Sequence, residues 1–78
     1  MKKSIPDLHQ KRLDSISSYI RELRFGEGMT QSEVCKELDL HKNTILRVEN
    51  GYNMNLTTLF EIADFYGIPI GEMFADIE

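Results

Sequence analysis

One cysteine, two prolines and no tryptophan occur among the 78 residues of this chain. The single cysteine, Cys35, cannot form an internal disulfide or a cysteine-based zinc site. No apolar run reaches the roughly 20 residues that a membrane-spanning helix needs, and the N-terminus MKKSIPDLHQ lacks the apolar centre of a signal peptide. These absences predict a cytoplasmic protein without a membrane partner, in a compartment where thiols stay reduced.

Residue types for catalysis or metal binding are also scarce. His9 and His41 lie at no recognisable ligand spacing from acids or from Cys35, so no metal site is predicted. The serines between residues 15 and 18 form no nucleophile motif, and no glycine-rich loop is present that could cradle a phosphate. The sequence therefore predicts neither an enzyme nor a bound cofactor.

Positive charge is absent from the C-terminal part of the chain. All nine Lys and Arg lie in residues 1–47, which also hold seven acids, a net charge of +2. Residues 48–78 hold six acids and no Lys or Arg, a net charge of −6. This asymmetry favours a basic face and an acidic end, although scattered solubilising charge is the plain alternative.

The chain is one small domain, and its apolar spacing is helical throughout. A first helix carries an apolar stripe of Leu13, Ile16, Ile20 and Leu23, and the glycines of FGEG end it. The sequence leaves two possible starts for this helix, one near Pro6 and one near Asp14. Residues 1–13 are therefore an N-terminal segment that either precedes or extends this helix, and residues 14–78 form the domain.

Start signals mark three further helices. Thr30 and Glu33 form a capping box, with the staple pair Met29 and Val34, and this second helix runs to about Leu38. After the turn DLH, a third helix covers Lys42 to Glu49 and stops at the Asn-Gly pair of residues 50 and 51. The fourth helix is capped by Asn55 and ends at Gly67. Residues 70–76 are predicted to form a short fifth helix. The fold class is all-α, a compact five-helix domain.

Two short helices joined by three residues match the helix-turn-helix spacing, which places the second helix in the DNA major groove. Ile45 and Val48 would hold this helix on the core. Arg can pair with guanine, Asn with adenine, and an apolar side chain with the thymine methyl. The opposite face of the third helix carries side chains of these types, which are Lys42, Asn43, Leu46 and Arg47. The plain alternative is that this face is a solvated helix surface.

The stretch IRELRFGEGMTQSEVCKELDLHKNTILRVENG, followed by LTTLFEIADFYGI, resembles the XRE family of helix-turn-helix regulators, the class of phage Cro and repressor DNA-binding domains. The likeness covers residues 16–74. It rests on TQ before the second helix, E-N-G after the third and TL-x-x-IA in the fourth. The resemblance implies a lambda-repressor-like domain that binds operator DNA as a homodimer and regulates transcription.

The resemblance also implies roles for individual residues. Gln31 is expected to contact a phosphate and to brace the recognition helix. Arg24 and Glu49 are expected to form an internal salt bridge. The expected base contacts are Lys42, Asn43, Thr44 and Arg47, with Leu46 as a methyl contact. Further phosphate contacts are expected from Asn50 and the loop after it, where Tyr52 and Asn53 can donate hydrogen bonds. Arg21 is a further expected phosphate contact, although a solvated charge explains it equally well.

Three features depart from the family pattern. Asp39 stands where the family usually has Gly, and a left-handed backbone suits Asp less well. His41 replaces the usual Ser or Thr cap, so a weaker start of the third helix is expected. The loop YNMN is short and holds no Lys or Arg, which argues against strong backbone contact by this loop.

The C-terminal run is more apolar than a small core needs, so it is expected to be a dimer interface. Part of it could instead pack beneath the fourth helix. The residues in question are Ile70, Met73, Phe74 and Ile77. The main alternatives to a homodimeric regulator on a near-palindromic operator are a DNA-binding antitoxin, a restriction–modification controller protein, and a protein-interaction module that has lost DNA binding.

Overall fold

The computed structural model describes residues 5–77, and all the regular structure among them is helical. The four α-helices are α1 (Asp7–Gly26), α2 (Gln31–Leu38), α3 (Lys42–Val48) and α4 (Leu56–Tyr66). The all-α prediction is confirmed. The short fifth helix predicted for residues 70–76 is a 3-10 helix over Ile70–Phe74, so the described residues form four α-helices and not five. This segment has only five residues between Pro69 and Ala75 and contains Gly71, so a run of i→i+4 bonds has no room to form.

The first helix takes the longer of its two expected forms. It begins at Asp7, directly after Pro6, and runs for 20 residues to Gly26. Pro6 has no N–H that would be left without an acceptor at the helix start, and the Asp7 carboxylate lies in the first turn, where the helix dipole favours a negative charge. Residues 7–13 are thus continuous with the first helix.

Side-chain caps fix where the other α-helices begin. The Glu33 amide donates to Thr30 Oγ1 (3.1 Å) while the Thr30 amide donates to Glu33 Oε1 (2.8 Å), which completes the predicted capping box. The Thr58 amide donates to Asn55 Oδ1 at 2.8 Å. His41 also caps its helix, because its Nδ1 accepts from the Asn43 amide at 3.1 Å. The imidazole nitrogen therefore accepts the hydrogen bond that a Ser or Thr hydroxyl would accept at this position, where a weaker helix start was expected.

A single hydrophobic core lies between these elements. Its buried residues are Ile16, Ile20, Val34, Cys35, Ile45, Val48, Leu59, Ile62, Ala63 and Met73. Met73 is 3% exposed, so it packs inside its own chain rather than on an outer surface. Ile70 and Ile77 are partly buried against the core. The 3-10 helix covers one end of the core in this way.

One buried ion pair ties the helices together. Arg24, on α1, donates from Nε to Glu49 Oε2 (2.8 Å) and from Nη2 to Glu49 Oε1 (2.9 Å). Its Nη1 donates to the Met29 carbonyl (2.9 Å), and Gln31 Nε2 donates to Glu49 Oε1 (3.2 Å). Hydrogen bonding to Glu49 raises the pKa of Arg24, so the guanidinium stays charged despite its burial. The pair joins α1, the start of α2 and the end of α3.

The turn between α2 and α3 requires a left-handed residue. Asp39 has φ 54° and ψ 44° and is the one non-glycine with positive φ in the part of the chain that the structure describes. Gly67 holds the corresponding place after α4, with φ 71°. The cost expected at Asp39 from the sequence is therefore present, because an L side chain crowds the carbonyl in this conformation.

Replacement of Asp39 by glycine should stabilise the protein. We expect Asp39→Gly to raise the free energy of unfolding by up to about 1 kcal/mol, since relief of the left-handed strain exceeds the entropy that glycine adds to the unfolded chain. Gly67→Ala should lower it by about 1 kcal/mol for the opposite reason. Urea denaturation measures both, and a destabilising Asp39→Gly would show that the carboxylate itself holds the turn.

Removal of one partner of the ion pair should cost far more. We expect Arg24→Ala to lower the free energy of unfolding by about 3–5 kcal/mol, because the Glu49 carboxylate would be left buried without its cation. The double variant Arg24→Met, Glu49→Leu should recover most of that loss, because no buried charge remains. Circular dichroism during urea unfolding gives both values, and an unchanged stability for Arg24→Ala would contradict a structural role.

Candidate nucleic-acid interface

The third helix has one buried face and one exposed face. Ile45 and Val48 are 1% and 2% exposed, whereas Leu46 on the other side is 44% exposed. Lys42, Asn43 and Arg47 are also exposed, so the structure brings these four side chains to one surface. We call Lys42, Asn43, Leu46 and Arg47 the α3 face. It offers two cations, an amide and an apolar group, a combination that can pair with base edges.

A small cleft borders the α3 face on the side of α4. It has a volume of about 180 Å³ and is lined by Thr44, Arg47, Val48, Asn53, Met54, Asn55 and Thr58. Thr44 is half-buried there, and Asn53 is exposed. The structure thus places a predicted base contact, Thr44, and a predicted phosphate contact, Asn53, beside Arg47.

Gln31 lies on the other side of the α3 face. It lines an open cleft of about 450 Å³ that also includes Thr30 and Lys42. Its amide already donates to Glu49, so it contacts the residue that follows α3, as its expected bracing role requires. Gln31 and Lys42 therefore open onto one surface, which fits a phosphate contact next to a recognition helix.

Arg21 forms hydrogen bonds between α1 and the end of α3. Its Nη1 donates to the Glu49 carbonyl oxygen at 2.6 Å, and its Nη2 to Ser18 Oγ at 3.3 Å. Arg21 is half-buried, and the expected phosphate contact at this residue stays a prediction.

The residues after α3 are held by short-range hydrogen bonds. Asn50 Nδ2 donates to the Leu46 carbonyl at 2.5 Å, and the Tyr52 amide donates to the Arg47 carbonyl at 3.3 Å. Tyr52 is half-buried, whereas Asn50 and Asn53 are exposed. These bonds tie the start of the loop to α3, and the Asn50 and Asn53 side chains lie beside α3.

Three hydrogen bonds made by two α1 residues were missed by the sequence reasoning. Ser17 Oγ donates to the Val48 carbonyl (2.5 Å) and accepts from the Gly51 amide (2.9 Å), and Gln10 Nε2 donates to the Gly51 carbonyl at 2.7 Å. Ser17 lies between the apolar residues Ile16 and Ile20 and is 2% exposed. A serine in the inward-facing stripe of a helix was the signal that could have identified it.

Burial raises the pKa of the Cys35 thiol, which lies in the core and is correspondingly unreactive. Among residues 5–77, no three His, Cys, Asp or Glu side chains are grouped so that they could hold a metal ion. Within the same range, no helix has both the length and the apolar character to cross a membrane.

Comparison with known proteins identifies the family. The family model for the helix-turn-helix domain matches residues 20–73. The chain is 41% identical over 63 residues to a cryptic phage CTXphi transcriptional repressor of Vibrio cholerae, an alignment that covers 80% of this chain and 57% of that protein. It is 38% identical over 56 residues to an uncharacterised HTH-type transcriptional regulator of Archaeoglobus fulgidus, covering 70% of this chain and 80% of that protein.

A third relative, an uncharacterised HTH-type transcriptional regulator of Methanocaldococcus jannaschii, is 36% identical over 48 residues, which covers 60% of this chain and 73% of that protein. The chain thus spans somewhat more than half the length of the phage repressor and most of the archaeal relatives. No solved structure matches the chain significantly. The helical fold, the exposed α3 face and the match over residues 20–73 establish that the chain belongs to the XRE-type helix-turn-helix family of DNA-binding transcriptional regulators.

Proposed function

We propose that this protein binds a specific operator in double-stranded DNA and regulates transcription as a homodimer, with α3 in the major groove. The observation that carries the proposal is the division of α3 into two faces. Its back is fixed in the core by Ile45 and Val48, and its front presents side chains that can read base edges. A helix held this firmly can keep those side chains in one orientation.

The charge distribution supports this orientation on DNA. Phosphate contacts supply position and much of the affinity, and base contacts supply sequence choice. The cations of the chain all lie in residues 1–47, and the acids of residues 48–78 carry the net negative charge. Two of these cations, Lys42 and Arg47, lie on the α3 face, and the clefts beside that face are lined by Gln31 and Asn53.

The relatives support a regulatory role. The Vibrio cholerae relative is named a transcriptional repressor, and two archaeal relatives are named HTH-type transcriptional regulators. By analogy, occupancy of an operator would be how this protein acts on transcription. This step rests on similarity, whereas the α3 face rests on the geometry of this chain.

The C-terminal segment supports the dimer. Phe74 is 39% exposed, and Ile70 and Ile77 are half-buried, so an apolar rim remains outside the core. Met73 drops out of the proposed interface because it is buried within the chain. A two-fold dimer would place two α3 helices about one helical turn, roughly 34 Å, apart on one side of the duplex, and would require a near-palindromic operator.

Loss of the Arg47 guanidinium should relax base choice. We expect Arg47→Ala to weaken binding to a site selected from a random DNA pool by about 1–3 kcal/mol, and to abolish preference at one base pair in each half-site. Lys36→Ala, which removes one exposed cation from α2, is the matched charge control and should keep that preference. If Arg47→Ala weakens all sequences alike, Arg47 contacts a phosphate and Lys42 and Asn43 must read the bases.

Gln31→Ala should weaken binding to every sequence by a similar factor, since a phosphate contact carries no sequence information. Titrations at several salt concentrations accompany these measurements, because binding through phosphates must weaken steeply as salt increases. Wild-type protein that binds no duplex at low salt would contradict DNA binding and favour a protein-interaction module.

Assembly can be tested at Phe74. We expect Phe74→Asp to convert a dimer into a monomer and to weaken binding to full operator sites, because two half-sites would no longer be bound by one particle. Light scattering at micromolar concentration measures the mass, and Glu72→Gln on the same 3-10 helix is the control. A wild-type monomer that binds half-sites as tightly as full sites would end the dimer proposal.

A further inference from the structure

The C-terminal end of α3 cannot satisfy all of its own carbonyl groups. The helix has seven residues, and the last carbonyls of any helix have no partner within the helix. Nearby donors satisfy the carbonyls of residues 45–47. The Glu49 amide donates to the Ile45 carbonyl, and the Asn50 side chain donates to the Leu46 carbonyl. The Arg47 carbonyl accepts from the amides of Asn50 and Tyr52. The carbonyls further along need donors from elsewhere.

Those donors come from α1. Ser17 Oγ donates to the Val48 carbonyl, and Arg21 Nη1 donates to the Glu49 carbonyl. Gln10 Nε2 donates to the Gly51 carbonyl. The three residues are spaced by seven and four, which places them on one side of α1. We call Gln10, Ser17 and Arg21 the α1 donors.

The contact at Gln10 has a defined geometry. The Nε2 group donates both to Gly51 O (2.7 Å) and to Asp14 Oδ1 (2.9 Å), so its two N–H bonds meet two acceptors. A flipped amide would place Oε1 against the same two oxygens. Gly51 has φ +79°, and a Cβ there would collide with the Asp14 carboxylate. Any other residue at Gly51 would therefore be strained by the positive φ and would displace the Asp14 side chain.

The first part of α1 reaches the end of α3. Helix α1 starts at Asp7, before the family model begins at residue 20, and carries Gln10 and Ser17 to the residues around the end of α3. The first turns of α1 therefore contact the part of the chain that follows the α3 face.

We infer that the α1 donors are positioning residues for sequence recognition. By binding the last carbonyls of α3 and the start of the following loop, they fix the angle at which the α3 face meets base edges. Pairing with a base tolerates errors of only about 0.5 Å or 10–20°. The inference rests on the proposed function, since it concerns how the same surface discriminates between DNA sequences.

Gln10→Glu tests this inference, because it keeps the size and shape of the side chain and replaces the donor with an acceptor. We expect the ratio of affinity for the selected operator to affinity for a scrambled duplex to fall about tenfold, measured well below the melting temperature. A purely structural role would leave that ratio unchanged while the protein is folded. Lys11→Gln, at the neighbouring exposed position, makes the same change in net charge and should leave the ratio unchanged.

Gln10→Ala is the second variant, since it removes the donor without adding a charge. The ratio of operator affinity to scrambled-duplex affinity should fall by a smaller factor in this variant, about threefold. If Gln10→Glu fails to fold, the ratio measured for Gln10→Ala tests the inference. Amide hydrogen exchange should become faster at residues 48–52 in the variants and stay constant at residues 34–38 of α2. A ratio within twofold of wild type in the folded Gln10 variants would overturn the inference, whatever the exchange at residues 48–52.

The two proposals fail in different ways. If wild-type protein shows no preference for any operator over a scrambled duplex, the proposed function fails. The positioning role for sequence recognition then fails with it, and hydrogen exchange reports only whether the α1 donors hold the end of α3: faster exchange confined to residues 48–52 in Gln10→Glu supports that contact, and unchanged exchange contradicts it. If wild-type protein discriminates and the Gln10 variants discriminate equally well, only the positioning role fails.

Discussion

The structure depends on the buried ion pair between Arg24 and Glu49. A buried pair is useful only when both charges are present and their remaining polar atoms are hydrogen-bonded. Both conditions are met here, because the Met29 carbonyl and the Gln31 amide complete the network. The partners come from α1, the start of α2 and the residue after α3. Their joint requirement therefore fixes the position of α3 relative to the two helices before it.

A seven-residue helix has little stability of its own, so α3 exists because its surroundings hold it. Its back is buried in the core, His41 caps its start, and α1 binds its last carbonyls. Because these contacts hold the helix, the side chains of the α3 face are not needed to stabilise it. The exposed Lys42, Asn43 and Arg47 can then serve recognition, which requires side chains held in a fixed orientation.

Local signals made much of the fold predictable. Capping and stop residues lie next to the backbone they act on, so Thr30, Asn55 and Gly67 marked helix ends correctly. Spacing alone also separated the buried Ile45 and Val48 from the α3 face. The role of Arg21 was not predictable in the same way. Its hydrogen bond goes to a carbonyl 28 residues away, and no signal near Arg21 in the sequence indicates that contact.

The sequence by itself thus determined the four α-helices, the helix-turn-helix spacing and the composition of the α3 face, because each depends on residues near one another in the chain. The tertiary structure alone decided which C-terminal apolar side chains are buried: Met73 lies in the core, and Phe74 lies at the surface. It alone also decided that α1 reaches Gly51 through Gln10. Both outcomes depend on how helices distant in sequence pack against each other, and residue spacing within one helix holds no information about that.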